Sequence, residues 1–77
     1  MARVRFFAAA EEMAGRAEEI RDAPTLAALR TALIAAHPGL TGLLPRCAVL
    51  VDGARVDDDA PLSSDTLVDV LPPFAGG

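Results

Sequence analysis

The stretch of sequence that decides the fold is residues 25–39, TLAALRTALIAAHPG. Thr25 can accept hydrogen bonds from free backbone N–H groups, so we predict that it caps the start of a helix. Apolar residues at spacings of three, four and three fall along one face of this helix: Leu26, Leu29, Leu33 and Ala36. Pro38 disfavours helical geometry in His37, so the helix ends there and the histidine complements the helix dipole.

Two strands are predicted before this helix. Residues 3–8 alternate between apolar inward positions and outward arginines, and Phe7 falls on the arginine side. A single helical turn follows and ends at Gly15, because glycine readily takes the left-handed conformation past a helix end. Residues 16–21 are heavily charged, as suits a strand at the edge of a sheet, and Ile20 is expected to face inward.

Three strands are predicted after the helix. They are residues 47–51, a short return strand around Val56, and residues 66–71. Asp52 and Gly53 form a strong tight-turn signal that joins the first two as a hairpin. Cys47 shares the parity of Val49 and Val51, the side assigned to the core, where a free cysteine behaves as a small hydrophobe.

This order of elements predicts an α+β roll, with a mixed sheet of about four to five strands and one main helix packed across it. In the last strand Val68 and Val70 are expected to face inward. The first and last strands are the most apolar, so we expect them side by side in the centre of the sheet. Parallel pairing between them needs a crossover, which the helix supplies.

The composition restricts the classes of function. The chain has 77 residues, enough for one domain, and 11 acidic against 7 basic residues give a net charge of −4. The basic residues are all arginines, scattered singly, whereas nucleic acid requires clustered positive charge, so no nucleic-acid partner is expected. The sequence has neither a membrane-spanning apolar run nor a signal-peptide pattern. We therefore expect a cytoplasmic protein with no membrane partner.

The sequence shows no pattern typical of a catalytic or metal site. One cysteine allows no internal disulfide and no Cys/His cluster for zinc. Consecutive carboxylates at Asp57, Asp58 and Asp59 point alternately to opposite sides of a strand, so they do not converge on one ion. No Ser/His/Asp arrangement or phosphate-binding glycine loop is present. An enzyme in its own right is therefore the least favoured interpretation, and no metal or bound cofactor is expected.

Both ends of the chain resemble one known family. The stretches are residues 4–9, VRFFAA, with residues 13–15, MAG, and residues 71–77, LPPFAGG. They resemble the small subunit of molybdopterin synthase, a ubiquitin-like sulfur carrier with the β-grasp fold, and the similarity spans the whole chain. The final Gly-Gly is shared by sulfur carriers and ubiquitin-like proteins in general. The Pro-Pro pair before it, together with the Phe-Phe strand, indicates the molybdopterin branch.

The resemblance implies a chemistry centred on the C-terminal carboxylate of Gly77. An ATP-dependent enzyme of the ubiquitin-activating type adenylates this carboxylate, and sulfur from a donor protein then gives a thiocarboxylate. The loaded carrier docks into the large synthase subunit, in a heterotetramer, where the sulfur builds the dithiolene of the molybdenum cofactor. ATP belongs to the activating enzyme and the catalytic side chains to the large subunit. Glu11 stands where the family commonly has an arginine, so an ion pair from that position to a partner is not implied.

The physical properties of the last residues fit this role. We predict a β-grasp domain over residues 1–71 and a flexible tail over residues 72–77. The tail-threading residues are Pro72, Pro73, Phe74, Ala75 and Gly76. The prolines favour an extended exit from the sheet, and glycines without a Cβ can enter a narrow channel. The last five residues reach about 16 Å at roughly 3.3 Å each, enough to enter a neighbouring active site.

A docking surface is also predicted. Phe7, Leu50 and Leu71 take the outward parity of three strands, and apolar groups together on an exposed face usually mark a partner site. The alternative is that they are ordinary apolar surface beneath the tail.

Three other functions fit the same sequence. A sister sulfur carrier for thiamine, cysteine or tRNA thiolation would share the activation chemistry and differ in its acceptor. A protein-conjugating modifier would instead form covalent adducts on lysines of other proteins. A β-grasp module that only binds proteins would have an inert tail.

Overall fold

The computed structural model describes residues 1–73 of the chain. In chain order the elements are β1 (Ala2–Phe6), α1 (Ala9–Ala14), β2 (Glu18–Arg21), α2 (Leu26–Ala36), two 3-10 turns (Pro38–Leu40 and Leu44–Arg46), β3 (Ala48–Val51), β4 (Ala54–Arg55) and β5 (Leu67–Leu71). Neither helix in this part of the chain has the length and apolar character required to traverse a bilayer. The predicted α+β class, with one main helix and a mixed sheet, is confirmed.

The five strands form one sheet in the order β2-β1-β5-β3-β4. The β1 and β5 strands pair in parallel, and the other three pairings are antiparallel. The predicted neighbourhood of the first and last strands is therefore confirmed, with β5 at the centre. Since parallel neighbours cannot be joined by a tight turn, the chain crosses between them through α2 and the β3–β4 hairpin.

The core lies between α2 and one face of the sheet, which we call the inner face. Leu26, Leu29 and Leu33 are buried on the helix, as its spacing predicts, and Thr25 Oγ1 caps it by accepting from Ala28 N at 3.1 Å. The inner-face side chains packed with them are Val4, Phe6, Val49, Val68 and Val70. Ala36, predicted on the same stripe, is exposed because the helix ends there, beyond the sheet side chains that bury its first two turns.

Backbone conformation sets where two of the strands end. The predicted first strand is shorter than residues 3–8, because Ala8 has a φ of 51° and leads directly into α1. In the hairpin, Asp52 and Gly53 have φ values of 49° and 84°, the pair of positive angles that a two-residue turn requires. The return strand occupies Ala54–Arg55 and ends before Val56, around which it was predicted.

The orientation of β2 differs from the prediction. Ile20 pairs with the outward Arg3 and is 54% exposed, whereas Glu19 pairs with the inward Val4 and is buried. The prediction that Ile20 faces inward is therefore wrong. An edge strand has a neighbour on one side only, so a charged residue can face inward there when nearby groups pair with it.

Glu19 has such partners. His37 Nε2 lies 2.6 Å from Glu19 Oε1, Arg21 donates to Oε2, and Arg16 lies 4.0 Å away. The His37 ring also meets Phe6 edge to face, with centroids 5.9 Å apart. Burial acts to raise the pKa of Glu19, but the hydrogen bonds from Arg21 and His37 outweigh it and lower that pKa. His37 therefore binds a buried carboxylate, a role that the helix-dipole interpretation did not include.

The helix register predicts how two neighbouring substitutions differ. Leu33→Ala removes a fully buried side chain, at a cost of about 2–5 kcal/mol. A chain of this length has a total stability of about 4–12 kcal/mol. The melting temperature of Leu33→Ala should fall by about 10 °C or more, while that of Arg30→Ala stays within a few degrees of the parent. Equal melting temperatures by circular dichroism would contradict the register.

The Glu19 cluster predicts a pH-dependent stability. Because the folded state lowers the pKa of Glu19, its charge stabilises the fold above the ordinary glutamate pKa of about 4.3, and this contribution is lost as the pH falls through the lowered value. Near neutral pH, Glu19→Gln should cost about 1–3 kcal/mol. The difference from the parent should shrink below about pH 4. Urea unfolding across a pH series measures it, with the exposed Glu18→Gln as control; a difference independent of pH would count against the cluster.

Candidate functional site

The candidate site is the outer face of the sheet, on the side away from α2, where the chain leaves β5. Strand register places its side chains in two neighbouring rows. Arg5, Asp69 and Leu50 form one row, since Asp69 pairs with both of the others. Phe7, Leu71 and Ala48 form the next row, since Leu71 pairs with Ala48 and Phe7 follows the paired Phe6.

The three residues predicted for docking share this face. Phe7 is 38% exposed, and Leu50 and Leu71 are half-buried. Phe7 and Leu71 are neighbours in the same row, and Leu50 lies diagonally across from Leu71 in the other. We call these three residues the apolar patch. It lies where β1 and β5 both end, so any segment leaving β5 starts beside it.

An ion pair that was not predicted from the sequence borders the apolar patch. Arg5 donates from Nε to Asp69 Oδ1 at 2.6 Å and from its terminal nitrogen to Oδ2 at 2.9 Å. This hydrogen bonding raises the pKa of Arg5 above its already high value. The same guanidinium lies 5.7 Å from the centroid of the Phe7 ring, a cation–π distance. The outward parity of both residues was visible in the sequence, but their pairing across 64 positions was not.

The base of the tail is part of this region. Pro72 is buried and Pro73 is exposed, so the chain is held against the domain at Pro72. A shallow depression of about 400 Å³ is lined there by Arg46, Ala48, Arg55, Leu71, Pro72 and Pro73. The remaining predicted tail residues, Phe74, Ala75, Gly76 and Gly77, lie outside the described residues.

Cys47 lies away from the outer face, before β3. It is half-buried, and its Sγ donates to the Leu43 carbonyl oxygen at 3.3 Å. Burial raises the pKa of the thiol, an effect that the nearby Arg46 charge only partly opposes. A raised pKa favours the protonated thiol, a weaker nucleophile than the thiolate, and Cys47 packs against the core as a small hydrophobe. Within residues 1–73, no three His, Cys, Asp or Glu side chains gather as a metal site would require.

A five-stranded mixed sheet crossed by one main helix, with its first and last strands parallel at the centre, is the β-grasp fold of the ubiquitin-like proteins. Within that class the chain belongs to the ThiS family of ubiquitin-like sulfur carriers, whose family model matches residues 4–77. The match includes the two glycines at positions 76 and 77.

Solved structures agree with this fold. Small archaeal modifier protein 1 from Methanosarcina acetivorans superposes with a TM-score of 0.88 at 19% identity, over 99% of this chain and 95% of that one. A chain in the complex of subunits 1 and 2 of the molybdopterin-converting factor from Helicobacter pylori 26695 has a TM-score of 0.74 at 28% identity, over 99% and 97%. The HVO 2177 protein of Haloferax volcanii has a TM-score of 0.79 at 31% identity, over 99% and 85%. No curated protein matches the chain.

Proposed function

We propose that this chain is the sulfur carrier of molybdopterin synthesis and acts through the carboxylate of Gly77. The observation that carries the proposal is the ThiS family match, which runs through both final glycines. The Pro-Pro pair at the start of the tail and the similarity to a chain of the Helicobacter pylori molybdopterin-converting factor favour the molybdopterin branch. In this role the chain is the non-catalytic subunit of a synthase, and its tail delivers sulfur inside a partner.

The reaction takes place in two steps at Gly77. The carboxylate attacks the α-phosphorus of ATP in an activating enzyme, and pyrophosphate leaves, which gives an acyl-adenylate. A sulfide-level sulfur nucleophile delivered by a donor protein then attacks the acyl carbon and AMP leaves, which gives the thiocarboxylate. Four residues follow Pro73, a reach of about 13 Å when extended, so the reacting group can enter a neighbouring active site while the domain stays outside.

The partners are the large synthase subunit, the activating enzyme and the sulfur donor protein. The Helicobacter pylori structure is a complex of subunit 1 with subunit 2 of the molybdopterin-converting factor. The apolar patch of Phe7, Leu50 and Leu71 suits a corresponding interface here, because the tail starts beside it. A partner bound to this patch is positioned to receive the tail. Asp69 holds Arg5 beside Phe7, so a charged group borders the apolar contact.

A second candidate function is conjugation to other proteins. The fold similarity to small archaeal modifier protein 1 favours it, since a modifier would use the same activated tail. The two functions differ in the acceptor. Mass spectrometry of cell extracts would reveal this chain joined to lysines of other proteins if it is a modifier, whereas a sulfur carrier yields the thiocarboxylate form.

Deleting Gly77 tests the carrier chemistry directly. The deletion moves the carboxylate back by about 3.3 Å, and a misplacement of 1 Å can cost about a hundredfold in rate. Gly76→Val adds a branched side chain where the proposed channel admits only glycine. Both variants should melt like the parent, yet fail to form the adenylate or thiocarboxylate.

The measurement is intact-protein mass spectrometry after incubation with the activating enzyme, ATP and a sulfur donor, with the parent under matched conditions. Met13→Asp, exposed on α1, serves as the control for a substitution outside the tail and the apolar patch. Normal sulfur loading of the Gly77 deletion would end the carrier proposal.

Phe7→Asp tests the apolar patch. The side chain is 38% exposed, so the variant should remain folded, and a charge in the patch should weaken binding to the activating enzyme and the large subunit by about tenfold or more. Isothermal titration calorimetry gives both affinities, again with Met13→Asp as control. If folded Phe7→Asp binds both partners as the parent does, the patch is not the docking surface.

A further inference from the structure

A second cleft lies beside the base of the tail, between α2 and the start of the β3–β4 hairpin. Its volume is about 400 Å³. The residues used in the argument are Arg30 and Ile34 of α2, Leu44 and Arg46 of the second 3-10 turn, and Arg55 and Val56 at the hairpin. We call it the arginine cleft. None of its residues belongs to the apolar patch or to the proposed tail chemistry.

Two of the three arginines of this cleft, Arg30 and Arg46, differ from the other five in the chain. Arg3 and Arg5 pair with Glu18 and Asp69, and Arg16 and Arg21 both reach Glu19. By contrast, no carboxylate within residues 1–73 lies within 4.0 Å of Arg30 or Arg46. Arg55 has one exposed partner, Asp57, at 2.9 Å, and this carboxylate also lines the cleft, so the charge of Arg55 is already matched. Although the chain has 11 acidic residues, Arg30 and Arg46 have no acidic partner among residues 1–73, and both line this cleft.

The base of the cleft is apolar. Leu44 is buried, and Ile34 and Val56 are half-buried members of the layer packed against the core. Guanidinium groups around an apolar base suit a ligand with carboxylates on either side of an aliphatic side chain. A ligand of this kind supplies carboxylates to Arg30 and Arg46, which have no acidic partner among residues 1–73.

We propose that the arginine cleft binds an acidic peptide segment of a protein partner, with carboxylates at Arg30 and Arg46 and an aliphatic side chain over Leu44 and Val56. The cleft adjoins the base of the tail, because Arg46 and Arg55 line both the cleft and the depression at Pro72 and Pro73. A protein that takes the tail can therefore occupy the cleft as well. The binding itself goes beyond the proposed function and does not depend on sulfur transfer.

The probe is the capped pentapeptide Asp-Glu-Leu-Glu-Asp, titrated into the ¹⁵N-labelled full chain. We expect saturable amide shift changes at Arg30, Arg46, Cys47 and Val56, and weaker binding as salt is raised. The matched peptide Asn-Gln-Leu-Gln-Asn has the same shape without charge and should bind at least about tenfold more weakly. Equal binding of the two peptides, or shift changes confined to the outer face, would overturn the proposal.

Two double variants distinguish binding of the peptide at the arginine cleft from general electrostatic attraction to the protein. Arg30→Gln with Arg46→Gln should weaken the acidic peptide about fivefold or more. Arg3→Gln with Arg16→Gln makes the same change of charge away from the cleft and should alter the affinity by less than about twofold. Equal losses in the two variants, or tighter binding of inorganic triphosphate than of the peptide at the same amides, would reject a peptide site. Because sulfur loading is measured separately, either proposal can fail without the other.

Discussion

The parallel pairing of β1 with β5 is the constraint on which the rest of the structure depends. It joins residues more than 60 positions apart, as the Arg5–Asp69 pair shows. The chain must then place its helix and its hairpin between the two strands, and α2 covers the inner face as a result. The same pairing brings the ends of β1 and β5 to one edge, so Phe7 and Leu71 become neighbours where the tail begins.

β5 serves two surfaces at once because side chains alternate across a strand. Val68 and Val70 are fully buried against α2, while Asp69 and Leu71 face outward. Asp69 holds Arg5 beside the Phe7 ring, which gives the apolar patch a charged border. A substitution in this strand therefore acts on the core or on the outer face according to its parity. For the proposed role, in which the reacting atom would lie on the tail, the domain needs no deep catalytic pocket.

Charge is used in two opposite ways in this small domain. At the β2 edge, Glu19 is buried and satisfied by His37 and Arg21, which keeps a polar group in the interior and leaves the edge charged. At the arginine cleft, Arg30 and Arg46 have no such partner within residues 1–73. At the β2 edge, pairing of charges stabilises the fold. At the arginine cleft, the unpaired charge remains available for binding.

The sequence by itself determined the features that depend on neighbouring residues. The cap at Thr25, the helix stop before Pro38 and the turn at Asp52 and Gly53 are local, because each follows from the chemistry of a few adjacent positions. The order of these elements, with the family resemblance at both ends, was enough for the β-grasp class. The outward parity of Phe7, Leu50 and Leu71 also followed from alternation, since their strands pair on both sides.

Only the tertiary structure decided what depends on distant residues. Alternation alone allows either face of an edge strand to turn inward, and pairing with Arg21 and with His37 at the end of α2 selects Glu19 rather than Ile20. The Arg5–Asp69 pair depends on the register between strands at opposite ends of the chain. The arginines at positions 30, 46 and 55 look scattered in the sequence, and they meet only because α2 packs beside the hairpin. Long-range packing brings such groups together, and no local sequence pattern predicts which groups will meet.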